Sequence, residues 1–235
     1  MSQPAIDYFS KGHRLRRWAT RAALKARRAM YGRFAALIPF NQTTTVLDIG
    51  ATPDQTLDDS NFFEALFPFP SQITVTSVED ASHLEQLYAG LRFVRTDGHS
   101  LPFPDGYFDV AFSAAVLEHV GNSENQRQFI AEMCRVSRRF FLTTPNRWFP
   151  IEVHTFLPLI HWLPRSLHQK VLRSLGKGFW ARSDNLNLLS ERDLLQLFGP
   201  EAEVRIARHR VLGWTSNLMA WGMIRQPQLP ARNKP

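Results

Sequence analysis

The chain has 235 residues, 44% hydrophobic and 21% charged, a balance that suits one large globular domain and excludes wholesale disorder. Its single cysteine, Cys134, excludes an intrachain disulfide and any two-cysteine metal site. The formal net charge of +7 favours anionic partners such as nucleic acid, acidic lipid surfaces or phosphorylated substrates.

The excess charge is concentrated near the start. Arg14, Arg16, Arg17, Arg21, Lys25, Arg27, Arg28 and Arg33 occupy a segment read as a helix over residues 11–37. Leu15, Trp18, Ala22 and Ala26 keep the spacing of one apolar stripe on it. Three readings stand beside each other: a helix lying on the domain, a membrane-surface helix, and a nucleic-acid contact. Residues 1–40 are therefore set apart as a basic N-terminal extension. No apolar run approaches the roughly 20 residues that span a bilayer, and no signal peptide is seen. The expected location is the cytoplasm, with the basic helix able to meet the inner face of a membrane.

From residue 44 strand and helix signals alternate. Residues 44–49 (TTVLDI) read as a first buried strand, 61–67 as a short helix and 73–78 as a second strand. A helix over 81–89 and strands over 91–95 and 108–113 follow. Ser123 with Gln126 reads as a capping box for a helix to about Ser137, with Phe129, Ile130, Met133 and Val136 on one face. Cys134 falls among these apolar residues and is expected to be a buried thiol. Residues 140–143 form a fifth strand. Residues 146–188, dense in Trp, Phe, His and Pro, read as an insertion over the mouth of the site. A capped helix over 190–198 and strands over 203–208 and 218–224 complete the domain, 41–225. Residues 226–235 are expected to be a disordered tail. Repeated β–α units of this kind imply a doubly wound α/β fold with a seven-stranded, mostly parallel sheet, an N-terminal helix and an inserted aromatic-rich segment. Its ligands should sit just beyond the strand ends.

Four ordered blocks occupy those ends: V-L-D-I-G at 46–50, the acid Glu79 beyond the second strand, R-T-D-G-H-S-L-P-F-P-D-G-Y-F-D-V at 95–110, and L-E-H-V at 117–120. Together they resemble the class I S-adenosylmethionine-dependent methyltransferases of the methyltransferase-11 type. The resemblance implies S-adenosyl-L-methionine as cofactor. Asp48 and Gly50 would border its methionine part, Glu79 would hold the ribose, Asp97 and Gly98 would flank the adenine, and Ala114 would line the sulfonium. The family's first loop usually carries two more glycines; here Thr52 and Asp54 stand in their places. Structural readings stand beside these: Asp48 as a turn-fixing acid, Glu79 as a solvated strand end, Asp97 as a cap, and both glycines as turn formers.

If the acceptor is a hydroxyl, a general base helps, and His119, then His154 and His161, are the candidates, with Asn146 orienting the acceptor. Each histidine could equally be structural. Trp148, Phe149, Trp162 and Phe179 would form an apolar acceptor wall. No metal site is expected. The function so read is methyl transfer to a small-molecule or lipid-linked acceptor, at oxygen. The rivals are an RNA methyltransferase, supported by charge alone, a module that has lost catalysis through its first loop, and a nicotinamide-dependent oxidoreductase, for which the G-x-G-x-x-G spacing is absent.

Overall fold

A computed structural model describes residues 13–54 and 60–225, with side chains described from residue 24 onward. The N-terminal stripe of Leu15, Trp18 and Ala22 and the tail 226–235 lie outside those described side chains and residues.

Seven strands form one sheet: β1 (Val46–Ile49), β2 (Ile73–Ser77), β3 (Arg92–Arg95), β4 (Phe108–Ala114), β5 (Ser137–Pro145), β6 (Ala202–Val211) and β7 (Trp214–Ile224), in the order β3-β2-β1-β4-β5-β7-β6. The first five pair in parallel, while β7 runs antiparallel to both β5 and β6. The doubly wound reading is borne out. Strand order reverses between β1 and β4, which opens the crevice where such sheets take ligands.

Continuous apolar runs form the central strands because both sheet faces are covered. All four residues of β1 are buried. Leu47, Ile49 and Ala111 contribute to one apolar layer, with Phe129, Ile130 and Met133 of α4 (Ser123–Val136) and Leu194 just beyond the insertion. Val46, Val110 and Phe112 contribute to the other, which includes Met30 and Phe34 of α1 (His13–Leu37) and Phe63 of α2 (Phe62–Leu66). Phe34 is fully buried and sets its ring against Phe63, Phe112 and Phe141 at 5.2–5.6 Å. The second half of α1 is therefore part of the core rather than an appendage. Cys134 is buried as expected, and burial pushes its thiol up to about 12.

Most boundaries shift by a few residues from the sequence reading, and two shifts have a clear physical cause. The cap of α4 is Asn122, not Ser123: its Oδ1 accepts from the backbone N–H groups of Glu124 and Asn125. Gln126 is fully buried and bonds elsewhere, so no box with Ser123 forms. β5 runs five residues longer than the expected 140–143 because β4 and β7 pair with it on both sides. Two further short helices, α3 (His83–Leu87) and α5 (Arg165–Ser174), lie before β3 and within the insertion. α6 (Glu191–Leu195) starts at the expected cap, Ser190, which forms a reciprocal box with Asp193. No described helix is long and apolar enough to cross a membrane.

Candidate active site

The carboxyl ends of β1, β2, β3 and β4 bring three groups of residues to one edge of the sheet. At β1, Asp48 is buried and Gly50 turns the chain at φ 100°, in the region glycine adopts without strain. Its N–H and that of Ala51 both donate to the Thr76 carbonyl, tying the first loop to β2. A Cβ on Gly50 would lie 2.3 Å from Cγ2 of Val116, so the residue is bare because the turn after β4 rests on it. The missing loop glycines have a replacement. Asn61, itself at φ 53°, accepts from Thr52 N and donates from Nδ2 to Thr52 O, closing the loop with one side chain.

Asp48 has a partner that the sequence did not suggest. Glu64 of α2 is buried beside it, and neither Glu64 oxygen meets a hydrogen-bond donor among the described residues. Burial raises the pKa of Asp48 well above the usual carboxylate range, and the neighbouring Glu64 raises it further. Burial also raises Glu64, partly offset by the neighbouring Asp48 carboxyl. Two acids so placed share a proton rather than both ionise.

Glu79 lies two residues beyond β2, half-buried, with its N–H bonded to Ser77 Oγ. Asp97 is exposed and accepts from His99 N in a tight turn. Gly98, at φ 77°, is buried under Phe129, 2.9 Å from the position of a Cβ. Beside these residues Val78, Arg95, Thr96 and Asp97 line an open cleft of about 390 Å³. The glycine-ended β1, the buried acid pair and the cleft beyond β2 and β3 suit a nucleoside with an ammonium-bearing tail.

Beyond β4, half-buried Ala114 ends the strand and a single helical turn carries Leu117, Glu118 and His119. His119 Nδ1 donates to the Asn185 carbonyl at 2.8 Å. Its ring stands edge-on to His154, centroids 4.8 Å apart, and both rings lie near Trp180. The structure thus brings together two of the three expected catalytic residues, one from the β4 turn and one from the insertion. His154 Nδ1 bonds Glu152 Oε1 at 2.6 Å. Burial would lower the His154 pKa, but the bond and charge of Glu152 raise it overall. Burial would raise Glu152, yet the bonds from His154 and Thr155 and the His154 charge hold it at about 2. His119 is lowered by burial, which favours its neutral form.

Asn146 braces the strand ends beside this site. Its Nδ2 donates to Thr215 O and its Oδ1 accepts from Trp148 N, so the amide pins the ends of β5 and β7. His161 is buried and bonds the Phe149 carbonyl, a packing role within the insertion. Trp148, Trp162 and Trp214 form a chain of rings, centroids 6.2 Å apart in each step, with Trp148 and Trp214 about half exposed. Sequence reasoning missed Glu64, Glu152, Trp180 and the buried pair Gln126–Asn187. That pair ties the β4 turn to the end of the insertion through bonds to Leu117 O and Gly121 O. An acid inside the apolar run 61–67 was the one visible signal among these.

Sheet order, crevice and residue placement are those expected of a class I, S-adenosylmethionine-dependent methyltransferase domain. Comparison with known proteins agrees. Residues 68–139 match the family described as "Methyltransferase domain". Over 97 residues the chain is 37% identical to an uncharacterized methyltransferase of Mycobacterium sp. (strain JLS), a match covering 40% of this chain and about a third (34%) of that protein's length. Among solved structures it is similar to the YcgJ protein from Bacillus subtilis (TM-score 0.58, 15% identity, 85% of this chain and 100% of that one). It is also similar to magnesium protoporphyrin IX methyltransferase from Synechocystis PCC 6803 with bound S-adenosylhomocysteine (TM-score 0.57, 14% identity, 92% and 90% covered). A third is the 1,6-didemethyltoxoflavin-N1-methyltransferase from Burkholderia thailandensis (TM-score 0.53, 16% identity, 88% and 79% covered). The family resemblance read in the sequence is borne out.

Proposed function

We propose that this chain transfers the methyl group of S-adenosyl-L-methionine to an oxygen of a small-molecule or lipid-linked acceptor. The observation that carries the reading is the arrangement at one sheet edge of a glycine-ended β1, an acid beyond β2 and an imidazole pair beyond β4. The cofactor, when bound, supplies an already activated methyl group, so the protein's work is alignment and exclusion of water.

The Asp48–Glu64 pair supplies negative charge for the ammonium, Gly50 turns the first loop toward the crevice, and Glu79 accepts the ribose hydroxyls. Asp97 and Gly98 flank the adenine, and Ala114 borders the sulfur. Near the acceptor, His119 and His154 are the groups able to take a hydroxyl proton as the oxygen forms its bond to carbon. Donation from Nδ1 to the Asn185 carbonyl fixes the His119 tautomer with its acceptor lone pair on Nε2. Asn146 orients the acceptor indirectly, by holding the strand ends from which the insertion springs.

Titration with S-adenosylhomocysteine tests the cofactor half of this reading. Glu79→Ala is expected to weaken binding by roughly 10- to 100-fold, since a charged hydrogen bond contributes about 1.5–3 kcal/mol. An absence of binding heat in the unaltered protein would overturn the reading.

The acceptor half draws support from the rim of the site. Leu212, 96% exposed at the β6–β7 turn, Trp214, Trp148 and Phe156 present an apolar border at the same end of the sheet. Together with the Arg-rich first helix it suits an amphiphilic acceptor met at an acidic lipid surface. Co-sedimentation should recover more protein with anionic than with neutral vesicles; equal recovery would count against a lipid-linked acceptor.

A further inference from the structure

The turn after β4 and the insertion meet in a cluster that hydrogen bonding alone does not account for. One oxygen of the fully buried Glu118, Oε2, accepts from Thr144 Oγ1 at 2.9 Å. The other, Oε1, has no hydrogen-bond partner, and His119 Nε2 lies 4.0 Å from it. One ligand atom from each of Glu118, His119 and His154 falls within 4.8 Å of the other two. An orphaned carboxylate oxygen costs free energy unless something positive completes it.

Both imidazoles are oriented from behind. His119 Nδ1 donates to a backbone carbonyl, Asn185 O, and His154 Nδ1 bonds the Glu152 carboxylate. Glu152 is in turn held by the backbone N–H groups of His154 and Thr155. Nδ1 anchored in this way directs Nε2 of each ring forward, the arrangement by which outer carboxylates and carbonyls fix metal-binding histidines. Trp180 lies beside both rings, so the cluster is sheltered on its apolar side.

We propose that Glu118, His119 and His154 bind one divalent transition-metal ion at the mouth of the crevice. Two imidazoles and one carboxylate suit zinc, cobalt, manganese or iron(II) better than magnesium or calcium, which prefer all-oxygen sets. Three protein ligands leave at least one position open, as in metal sites that act on a substrate. The ligand atoms, now up to 4.8 Å apart, would be drawn in by about 1–2 Å of side-chain rotation to the spacing of about 3–3.5 Å that bonds of about 2.1 Å require. The site departs from the sequence expectation that no metal site is present. It does not depend on methyl transfer. Within the proposed function it deepens the acceptor half: an acceptor hydroxyl in the open position ionises more readily, and the imidazoles then serve as ligands rather than as the base.

The test uses the untagged, full-length protein stripped with a chelator and titrated with cobalt(II), followed by visible absorption and calorimetry. One equivalent should bind and give ligand-field bands. His154→Ala should abolish the bands. Glu152→Gln, which touches no metal position, should weaken binding by about 10- to 100-fold. S-adenosylhomocysteine binding and far-UV circular dichroism of each variant report whether the fold survives. No saturable binding of cobalt, zinc or manganese at millimolar concentration overturns the proposal. So does binding that is unchanged in both His154→Ala and Glu118→Gln. Loss of S-adenosylhomocysteine binding with the cobalt bands intact would instead count against the cofactor reading alone.

Discussion

Replacing Gly50 with alanine is expected to weaken S-adenosylhomocysteine binding by roughly 100-fold or more, the scale on which small displacements cost a positioned site. Two causes act together. The residue sits at φ 100°, where an L side chain adds strain of about 1–3 kcal/mol. Its new Cβ would also lie 2.3 and 2.9 Å from the two methyl carbons of Val116 and 3.1 Å from its Cβ. Val116 opens the turn that carries Glu118 and His119, so relief of the clash moves the second half of the site as well as the first loop. Isothermal titration and thermal unfolding check this. Adding Val116→Ala should restore part of the stability by removing the contact but little of the affinity, because the backbone strain remains. Wild-type affinity and melting temperature in Gly50→Ala would show that the close approach has no bearing on the cofactor.

That contact also marks where the sequence stops being informative. Continuous apolar runs such as VLDI and FDVAFSA announce buried parallel strands because the helices cover both faces, and the acids and glycines at their ends announce the crevice. Those signals are local, and the structure follows them from β1 to β5. The first loop departs from the family pattern, and its explanation is not local. Thr52 and Asp54 replace glycines, yet Asn61, nine residues from Thr52, supplies both the left-handed backbone and the two bonds that close the loop. The Asp48–Glu64 pair and the Gln126–Asn187 bond likewise join residues that sequence spacing does not relate. The cap of α4 was misplaced by one residue, since Asn122 and Ser123 are both good caps and geometry alone chooses between them. His119 and His154 were each legible as candidates. Their meeting at 4.8 Å depended on the path of the insertion, which no periodicity encodes.

The buried acid pair carries the second large expectation. Glu64→Gln should raise the melting temperature of the cofactor-free protein at mildly alkaline pH and, in the same protein, weaken S-adenosylhomocysteine binding. The direction follows from proton linkage. Burial raises both carboxyl pKa values in the folded state, so the native protein holds a proton that the unfolded chain, with values of about 4, has released. Stability linked to this pair is therefore full at acid pH and falls as pH rises through the elevated folded values. A glutamine lessens that loss, because its amide is neutral at every pH and can donate to Asp48, whose own burial remains. A gain on the scale of an ordinary single substitution, about 1 kcal/mol or a few degrees, is expected above neutrality. Melting curves of the two proteins from about pH 5 to pH 8 should converge at the acid end and separate at the alkaline end. Binding should move the other way: an arriving ammonium favours the doubly ionised pair, so the unaltered protein releases a proton on binding and the variant does not. Calorimetry in buffers of different ionisation enthalpy reads that proton directly. A melting profile of Glu64→Gln parallel to that of the unaltered protein at every pH would mean that Glu64 titrates alike in the folded and unfolded chain, and the shared-proton reading of the pair would fall.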